Sequence, residues 1–379
     1  MTEGAFDAVV IGGSLAGSAA AFALARAGFR VALVERSRFP RAKVCGEFLS
    51  HEAFGVLARM GVLAGVRAAG AETIERFAVV SPAGRRAEGR LPAPVLSLSR
   101  EALDTLCLEA ARGAGATVVS PVTVTALSGD LASGFSVETT AGALRARAVV
   151  GAWGRYGPLD GRLGRPFFGT PARLFGFQRH LVEVDGEGRR FAGEVVLHAF
   201  PGGYLGLSRV EGGRLNLGAL TTPEVAALAH HDLDRLLARL TAASPALADD
   251  LAALAPVGGV TLLSEPVHLG PRDPVARDVL LAGDAAAVVD PWTGTGMALA
   301  LLGGEAAGTG LAPFLSGGIS PRELARRHRE SSRSLWGRRF LWCRLFRPFL
   351  VSARASRLVH PALAPAVRLV ARLTRGGRQ

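Results

Sequence analysis

The stretch that decides the fold is Phe6-Asp7-Ala8-Val9-Val10-Ile11-Gly12-Gly13-Ser14-Leu15-Ala16-Gly17. Its first six residues are mostly apolar and rich in β-branched side chains, which predicts a buried parallel strand. The alanine-rich segment that runs on to Ala27 predicts a helix, and Gly28 stands where a helix often ends in glycine. Residues 30–34 predict a second strand, so the whole is a βαβ unit with a glycine-rich turn at its front.

The turn between the first strand and the helix has the pattern that binds a dinucleotide. A pyrophosphate needs close backbone approach and a helix N-terminus aimed at it. We expect Gly12 to make the tight turn and Gly17 the helix–strand contact. Ser14 takes the usual middle glycine position and can add a hydroxyl donor. Glu35 closes the second strand, where it can accept hydrogen bonds from a ribose diol.

A second nucleotide motif lies about 270 residues later and reads Val279-Leu280-Leu281-Ala282-Gly283-Asp284-Ala285-Ala286, then Asp290-Pro291-Trp292-Thr293-Gly294-Thr295-Gly296-Met297. It resembles the FAD-binding segment of the flavoprotein monooxygenase and geranylgeranyl reductase superfamily. The resemblance implies that Asp284 bonds the ribityl chain and that the Pro-x-x-Gly-x-Gly turn presents backbone N–H groups to the flavin. A helix N-terminus there stabilises the charge of reduced flavin. FAD is therefore the expected cofactor.

Two shorter matches extend the resemblance over roughly residues 6–310. Arg100-Glu101-Ala102-Leu103-Asp104 is similar to the family's Arg-x-x-Leu-Asp helix, whose Arg lies near the flavin, although a solvated helix charge would look the same. Pro201-Gly202-Gly203-Tyr204-Leu205-Gly206 resembles a segment that borders the substrate cavity in geranylgeranyl reductases, or it is a structural turn. The cofactor-binding set that the resemblance implies is Gly12, Ser14, Ala16, Gly17, Glu35, Arg36, Cys45, Gly46, Arg100, Val124, Gly283, Asp284, Pro291, Gly294, Thr295, Gly296 and Met297.

A third motif is Phe39-Pro40-Arg41-Ala42-Lys43-Val44-Cys45-Gly46-Glu47-Phe48-Leu49-Ser50. Reductases of the superfamily carry a similar Lys-x-Cys-Gly stretch beside the flavin, and flavin-dependent halogenases carry Phe-Pro-Arg followed by Gly-Glu. The chain also resembles oxidoreductases found beside bacterial type III polyketide synthases. Lys43 is the single lysine among 44 basic residues, which favours a role that guanidinium cannot fill. Cys45 is either a flavin-proximal thiol or a small wall residue. Lys43, Cys45 and Tyr204 are the candidate catalytic residues.

Departures from the family pattern bear on the electron source. Class A hydroxylases carry Gly-Ala-Asp-Gly, a stretch linked to NAD(P)H use, where this chain has Gly151-Ala152-Trp153-Gly154. The Trp-x-Trp-x-Ile-Pro motif of the halogenases is missing, and there is no second G-x-G-x-x-G for a nicotinamide domain. We therefore expect electrons from NAD(P)H that binds transiently or from a partner flavin reductase.

The resemblance implies an α/β chain, α+β overall. A Rossmann-like FAD-binding domain of the p-hydroxybenzoate hydroxylase type would comprise residues 1–70, 99–165 and 270–320. A substrate domain with a mixed or antiparallel sheet would interrupt it, over residues 71–98 and 166–269. Residues 321–379 would form a basic C-terminal helical region. The residue pattern also predicts helices over 51–60 and 100–112, the second capped by Ser99, and a strand over 122–124.

The expected activity is that of an FAD-dependent oxidoreductase. The favoured reaction is oxidative tailoring, as by a monooxygenase, of a hydrophobic aromatic or polyketide-like secondary metabolite. The alternatives are reduction of an isoprenoid double bond, halogenation, and electron transfer to a quinone or membrane partner. His180 and His198 lie in the expected substrate domain and could act as general acid or base, although such histidines are more often merely packed. No metal-ligand spacing is present.

The net charge of +12 is unevenly distributed. Residues 321–379 hold fifteen Arg and two Glu, so the rest of the chain is nearly neutral. This argues against nucleic-acid binding over the whole surface. Aromatic residues interleave with the arginines between Leu335 and Arg375, which predicts either a helix that touches anionic membrane or helices that pack on the body. Three scattered cysteines, no signal peptide and no long uncharged run predict a cytoplasmic protein, at most peripheral to a membrane.

Overall fold

The part of the chain that the structure describes folds into two large β-sheets flanked by helices, with a third sheet of only two strands. A computed structural model describes residues 5–169, 174–184, 189–258, 260–264, 267–337 and 339–351. The strands are β1 (Phe6–Ile11), β2 (Val31–Val34), β3 (Phe48–Leu49), β4 (Glu72–Val80), β5 (Arg86–Ser97), β6 (Thr117–Val119), β7 (Val124–Asp130), β8 (Gly134–Thr139), β9 (Gly142–Gly151), β10 (Phe175–Glu183), β11 (Glu194–Phe200), β12 (Gly203–Arg209), β13 (Leu215–Thr221), β14 (Leu254–Pro256), β15 (Leu262–Leu263), β16 (Gly270–Pro271), β17 (Val275–Ala276), β18 (Val279–Leu281) and β19 (Ala287–Val288).

The helices lie against both sheets. They are α1 (Leu15–Arg26), α2 (Phe54–Arg59), α3 (Leu63–Ala68), α4 (Arg100–Gly113), α5 (Pro158–Arg162), α6 (Pro223–Leu228), α7 (Leu233–Ala243), α8 (Pro245–Leu251), α9 (Gly296–Leu315), α10 (Pro321–Trp336) and α11 (Arg339–Val351). Short 3-10 turns cover His51–Ala53, Glu211–Gly213, Gly283–Ala285 and Pro291–Thr293.

The first sheet brings the loops that follow its parallel strands to one edge. Its order is β17-β18-β9-β1-β2-β6, and the β7–β8 hairpin joins it through β9. Strands β18, β9, β1, β2 and β6 pair in parallel, with Val9 opposite Ala32 on one side and Val149 on the other. The carboxyl ends of parallel strands meet at one edge, which is where open α/β sheets bind ligands. Both nucleotide motifs therefore reach the same edge.

Helices α1 and α9 pack with their backbones in contact. A Cβ at Gly304 would lie 2.0 Å from the Ala16 carbonyl oxygen, and one at Gly308 would lie 2.6 Å from the Ala20 carbonyl oxygen. By length and composition α9 could cross a membrane. Its inward residues pack against α1 and belong to the core, so packing within the protein accounts for the apolar character of this helix.

The second sheet has two chemically different faces. Its order is β14-β10-β13-β12-β11-β4-β5-β3, with β15 beside β10, and it is mixed because β4 and β11 pair in parallel. The outer face is apolar and packs on α6, α7 and α8 through residues such as Phe177, Leu205 and Leu217. The inner face turns toward residues 44–47 and carries Gln178 and Asn216. This inner face is one wall of the site.

Most elements match the sequence prediction, with local differences. Ser99 accepts a hydrogen bond from the Ala102 N–H at 3.2 Å, as expected for the cap of α4. The single helix expected over 51–60 is a 3-10 turn followed by α2. Val122 lies outside the strand predicted for it because its N–H donates to the Glu35 carbonyl oxygen. Strand β3 falls within the predicted range 1–70 but pairs with β5 in the second sheet; the domain boundaries themselves stay a prediction.

The C-terminal helices pack on the body as far as the structure describes them. In α10, Arg326 pairs with Glu323 and Glu330, and Arg329 pairs with Asp273. Helix α11 contacts β11 and β12. The rest of the predicted basic region, residues 352–379, lies outside the described residues.

Candidate active site

The glycine turn after β1 tolerates no side chain at two positions. Gly12 has a φ of +104°, and a Cβ there would lie 2.4 Å from the Ala152 carbonyl oxygen. A Cβ at Gly17 would lie 1.7 Å from the Gly12 carbonyl oxygen. Both distances are far below van der Waals contact, so the turn holds its shape only with glycine. Beside it, the buried Glu35 accepts a hydrogen bond from the Gly13 N–H at 2.7 Å.

Ser14, Arg100 and Asp104 form a buried network under this turn. Arg100 Nη2 donates to Ser14 Oγ at 2.6 Å and Arg100 Nε to Asp104 Oδ1 at 2.9 Å, while Ser14 Oγ donates to Asp104 Oδ2 at 2.9 Å. Burial alone would raise the pKa of Asp104, but the charge of Arg100 and its hydrogen bonds lower it. Arg100 is therefore not a solvated helix charge. The Ser14 hydroxyl, which the sequence offered as a donor, donates its hydrogen bond to Asp104 in this structure.

Residues 44–46 lie against the inner face of the second sheet. The Cys45 N–H donates to Gln178 Oε1 at 3.1 Å, and Asn216 Nδ2 donates to the Cys45 carbonyl oxygen at 3.1 Å. Gln178 Nε2 also donates to Asn216 Oδ1 at 2.9 Å. The segment packs directly on β13, since the Cβ position of Gly218 is 3.6 Å from the Cys45 carbonyl oxygen, an ordinary van der Waals contact. The two amide side chains thus fix the backbone that carries the candidate thiol.

Glu47 ties the same segment to both halves of the molecule. It is buried with a φ of +52°, its Oε1 accepts from the Arg100 N–H at 2.9 Å, and its Oε2 lies 2.7 Å from His180 Nε2. His180 is thus placed beside the site, as the sequence allowed. His198 faces the other side of the sheet and pairs with Asp250 at 2.8 Å, so the structure contradicts a catalytic role for it. Gln178, Asn216 and Glu47 were missed because each partner is remote in sequence.

Lys43 lies between the two nucleotide motifs. Its half-buried ammonium nitrogen is 3.9 Å from the Cβ position of Gly154. Desolvation, and then repulsion from Arg100, lower the pKa of Lys43 to about 8, although the carboxylates of Asp284 and Asp104 oppose this. A lysine with this pKa can donate or accept a proton near neutral pH.

The second motif is held in shape by close contacts. Gly294 has a φ of +64°, and a Cβ there would lie 2.4 Å from Phe48 Cδ1. Gly283 has a φ of +59°, with its Cβ position 2.8 Å from Ala16 Cβ. Thr293 Oγ1 and Thr295 Oγ1 are 2.9 Å apart, just before α9 begins at Gly296. The first turns of α1 and α9 therefore face the same edge of the sheet.

These residues fit FAD. Arg41 Nε is buried beside the glycine turn without a hydrogen-bond partner, 4.0 Å from Glu35, and Arg41 Nη2 lies 3.6 Å from Asp104. An unsatisfied cationic donor at a helix N-terminus suits a pyrophosphate, and the α9 N-terminus suits the electron-rich edge of a flavin. The first motif, Arg41 and Arg100 would hold the nucleotide half of FAD, while Asp284 and residues 294–297 would hold the flavin half.

The remaining predicted cofactor residues take varied positions. Ala16 and Met297 are buried in the first turns of α1 and α9. Pro291 is exposed near the start of residues 290–297, which we call the flavin loop. Arg36 and Gly46 are exposed. Val124 is the first residue of β7, close to the segment bonded to Glu35. Their contacts with a cofactor stay predictions.

Trp153 replaces the family acid with an indole ring that is tied down. Its Nε1 donates to Asp160 Oδ2 at 3.3 Å, and a Cβ at Gly151 would lie 2.1 Å from Trp153 Cζ3. Asp160 is buried and pairs with Arg165 at 2.8 Å. The ring therefore covers the end of β9, where the sequence pattern of the hydroxylases would place a carboxylate.

Tyr204 lies in an apolar cluster on the inner face and touches the flavin loop. Its hydroxyl donates to Asp290 Oδ1 at 3.2 Å, and Arg347 Nε of α11 lies 3.5 Å from Asp290 Oδ2. Burial raises the pKa of Asp290 to about 6, which Arg347 only partly offsets. The apolar cluster around Tyr204 consists of Phe77, Val79, Ala87, Leu174, Ala199, Leu220, Val267 and Val288, with Trp292 packed on it.

Asp290→Asn is expected to stabilise the protein at pH 8 and much less at pH 5. A carboxyl whose pKa is 3.8 unfolded and about 6 folded costs no stability below pH 3.8, and the full cost appears above pH 6. That pKa difference corresponds to about 3 kcal/mol, an upper bound for the gain. Urea unfolding at the two pH values measures this gain in the free energy of unfolding.

Asp249→Asn, on the exposed surface of α8, is the control, and its free energy of unfolding should change little at either pH. If Asp290→Asn instead lowers the free energy of unfolding equally at both pH values, the ion pair between Asp290 and Arg347 contributes more stability than burial of the carboxylate costs.

Comparison with known proteins agrees with the site. The model of the FAD binding domain family matches residues 5–200, and the chain belongs to this family. Digeranylgeranylglycerophospholipid reductase 2 of Methanopyrus kandleri is 29% identical over 356 residues, which cover 88% of this chain and 84% of that protein. Reductase 1 of the same organism is 30% identical over 320 residues, which cover 80% and 79%. The protein is an FAD-dependent oxidoreductase.

A solved structure shares the fold. The myxobacterial chondrochloren halogenase CndH superposes with a TM-score of 0.80 at 20% identity, over 98% of this chain and 90% of that chain. At this identity the likeness shows the fold alone. It confirms the fold class expected from the sequence.

Proposed function

We propose that this oxidoreductase reduces a carbon–carbon double bond in a hydrophobic, isoprenoid-like molecule. The observation that carries the proposal is Lys43, a cation with a pKa of about 8 whose ammonium nitrogen lies 3.9 Å from the Cβ position of Gly154 and senses the charges of Asp284 and Asp104 in the two nucleotide motifs. Reduction of a double bond adds a hydride and a proton. Reduced FAD, when bound, supplies the hydride equivalent.

The protein's own residues supply the proton and hold the geometry. Lys43 donates its proton to the substrate and regains one from solvent, because its side chain is half-buried rather than sealed. Gln178 and Asn216 bond the Cys45 backbone, and the Glu47 side chain bonds the Arg100 N–H and His180, so the segment next to Lys43 is held in place. This is the positioning that proton transfer requires.

The apolar cluster around Tyr204 supports a hydrophobic substrate. It lies on the inner face of the second sheet and meets the flavin loop through Trp292 and Asp290. Apolar walls with few polar groups are typical of small-molecule sites. The two Methanopyrus reductases, by their names, act on a lipid with isoprenoid chains, and this favours the isoprenoid over other apolar molecules. Electrons would come from a partner flavin reductase or from NAD(P)H, because Trp153 takes the place of the acid linked to NAD(P)H use.

A second candidate is oxygenation of a hydrophobic aromatic or polyketide-like molecule. A cluster of aromatic rings joined to Asp284 through Arg272 favours it: Tyr156 and Phe168 stack at 4.9 Å, and the guanidinium of Arg272 lies 3.6 Å above the ring of Phe167. Arg272 Nη1 also donates to the carbonyl oxygen of Asp284, the residue that is predicted to bind the ribityl chain, at 3.2 Å. Such rings could stack on an aromatic substrate.

One experiment separates the candidates. FAD-loaded protein is reduced anaerobically and mixed with prenyl alcohols, prenylated quinones or resorcinols, with and without air and bromide. The proposal expects flavin reoxidation without oxygen, with a product that has gained two hydrogens. A product that gains an oxygen atom, formed only in air, would establish the second candidate instead. Bromide incorporation would indicate halogenation, and oxidation without any modified substrate would indicate an electron carrier.

A further inference from the structure

Helix α11 exposes a face that is both apolar and basic. Leu341 and Leu345 each have about half of their surface exposed, 54% and 52%, and Arg344 and Pro348 are exposed as well. Leu341 lies three and four residues before Arg344 and Leu345, and Pro348 lies four and three residues after them. Residues at these spacings are neighbours on one side of a helix. We call Leu341, Arg344, Leu345 and Pro348 the α11 outer face.

The opposite side of α11 is fixed to the catalytic body. Arg339 is buried, and its Nη2 donates to Glu52 Oε1 at 2.6 Å. Cys343 is buried, and Arg347 reaches Asp290 beside the flavin loop. Because the inward arginines are neutralised by acids of the body, the helix is held in one orientation. The α11 outer face therefore points away from the protein.

The sequence from α11 onward carries charge of one sign. Three of the five arginines of α10 have acidic partners: Arg326 and Arg327 pair with Glu323, and Arg329 pairs with Asp273. After Glu330 the sequence holds eleven arginines and no acidic residue. Excess positive charge is thus concentrated on and after α11, where exposed leucines also lie.

We propose that the α11 outer face docks on an anionic lipid bilayer. Leucines on such a face bury in the headgroup boundary, while neighbouring arginines attract acidic lipids. A nucleic acid would use the arginines but leave both leucines in water, so the combination favours lipid. Helix α11 packs on β11 and β12, and β12 carries Tyr204, so docking would bring the apolar cluster close to a source of hydrophobic molecules. The inference stands apart from the proposed reaction, because docking is measured without turnover.

The test is co-sedimentation of full-length, FAD-loaded protein with sucrose-filled vesicles. Vesicles of phosphatidylcholine alone are compared with vesicles that contain about 30% phosphatidylglycerol. We expect binding to the vesicles with phosphatidylglycerol to be tighter by about tenfold or more. Binding should weaken in about 0.5 M salt because the lipid charge is screened. Leu341→Glu/Leu345→Glu should weaken binding by about tenfold or more, because two acids replace the apolar contacts.

The control variant is Leu228→Glu/Leu263→Glu. It makes the same change in net charge at exposed leucines of α6 and β15, 59% and 49% exposed, and should bind like the natural protein. Unchanged flavin content and melting temperature confirm that both variants fold. Equal binding of the natural protein to both kinds of vesicle would overturn the proposal. Equal losses in both variants, full binding by the α11 variant, or pelleting without vesicles would also overturn it.

Discussion

Lys43→Met is expected to lower turnover about a hundredfold or more at pH 7 while the protein keeps its FAD. A positioned acid or base contributes that much to proton transfer, and methionine fills similar space without a proton to give. Arg38→Met, which removes an exposed basic residue five positions earlier, is the control and should leave turnover unchanged. Steady-state kinetics with the substrate identified by the anaerobic assay, together with the visible flavin spectrum, measure both effects.

The pH dependence gives a sharper form of the same expectation. With a pKa of about 8, the Lys43 ammonium predominates at pH 7 and is lost as the pH rises, so turnover should fall above pH 8. Lys43→Arg keeps its charge throughout this range, so its slower turnover should not fall there. A natural enzyme whose turnover stays level from pH 7 to pH 9.5, or rises, would rule out Lys43 as the proton donor. This pH range extends about one unit or more to either side of the Lys43 pKa, so it covers the change from the ammonium to the amine.

Gly17→Ala is expected to abolish FAD binding. The added methyl carbon would lie 1.7 Å from the Gly12 carbonyl oxygen, so the turn and the start of α1 cannot both keep their positions. We expect a fall in the free energy of unfolding of about 3 kcal/mol or more, at the upper end of overpacking costs. The ratio of flavin to protein absorbance and urea unfolding measure the two losses.

Gly113→Ala is the matched control. Gly113 ends α4, and nothing lies within 4 Å of its Cβ position, so the same substitution should leave flavin content unchanged. Its stability should rise or stay level, since alanine restricts the unfolded chain. A fully yellow Gly17→Ala protein would mean that α1 can shift, and the backbone contact would then not define the site.

The sequence predicted the parts of the site that are local. The turn at Gly12, the helix cap at Ser99 and the loop at Gly294 each follow from a few consecutive residues, because backbone conformation is chosen locally. The contacts across the site could not be predicted. His180 contacts Glu47 only because two segments that are distant in the sequence pack together. No local sequence pattern around either residue indicates the other as its partner. Asp290 is similar: its burial and its raised pKa depend on β12 and α11.

The backbone contact between α1 and α9 has a consequence for cofactor choice. Gly304 and Gly308 press α9 against the carbonyl oxygens of α1, so side-chain rotations cannot change the spacing of the two helix starts. The distance between the N-termini of α1 and α9 is therefore fixed. A mononucleotide such as FMN has no second half to reach the α1 end, and it would engage α9 alone. We therefore expect the fixed distance between the two helix starts to favour the dinucleotide FAD over FMN, independently of any hydrogen bond to the adenine.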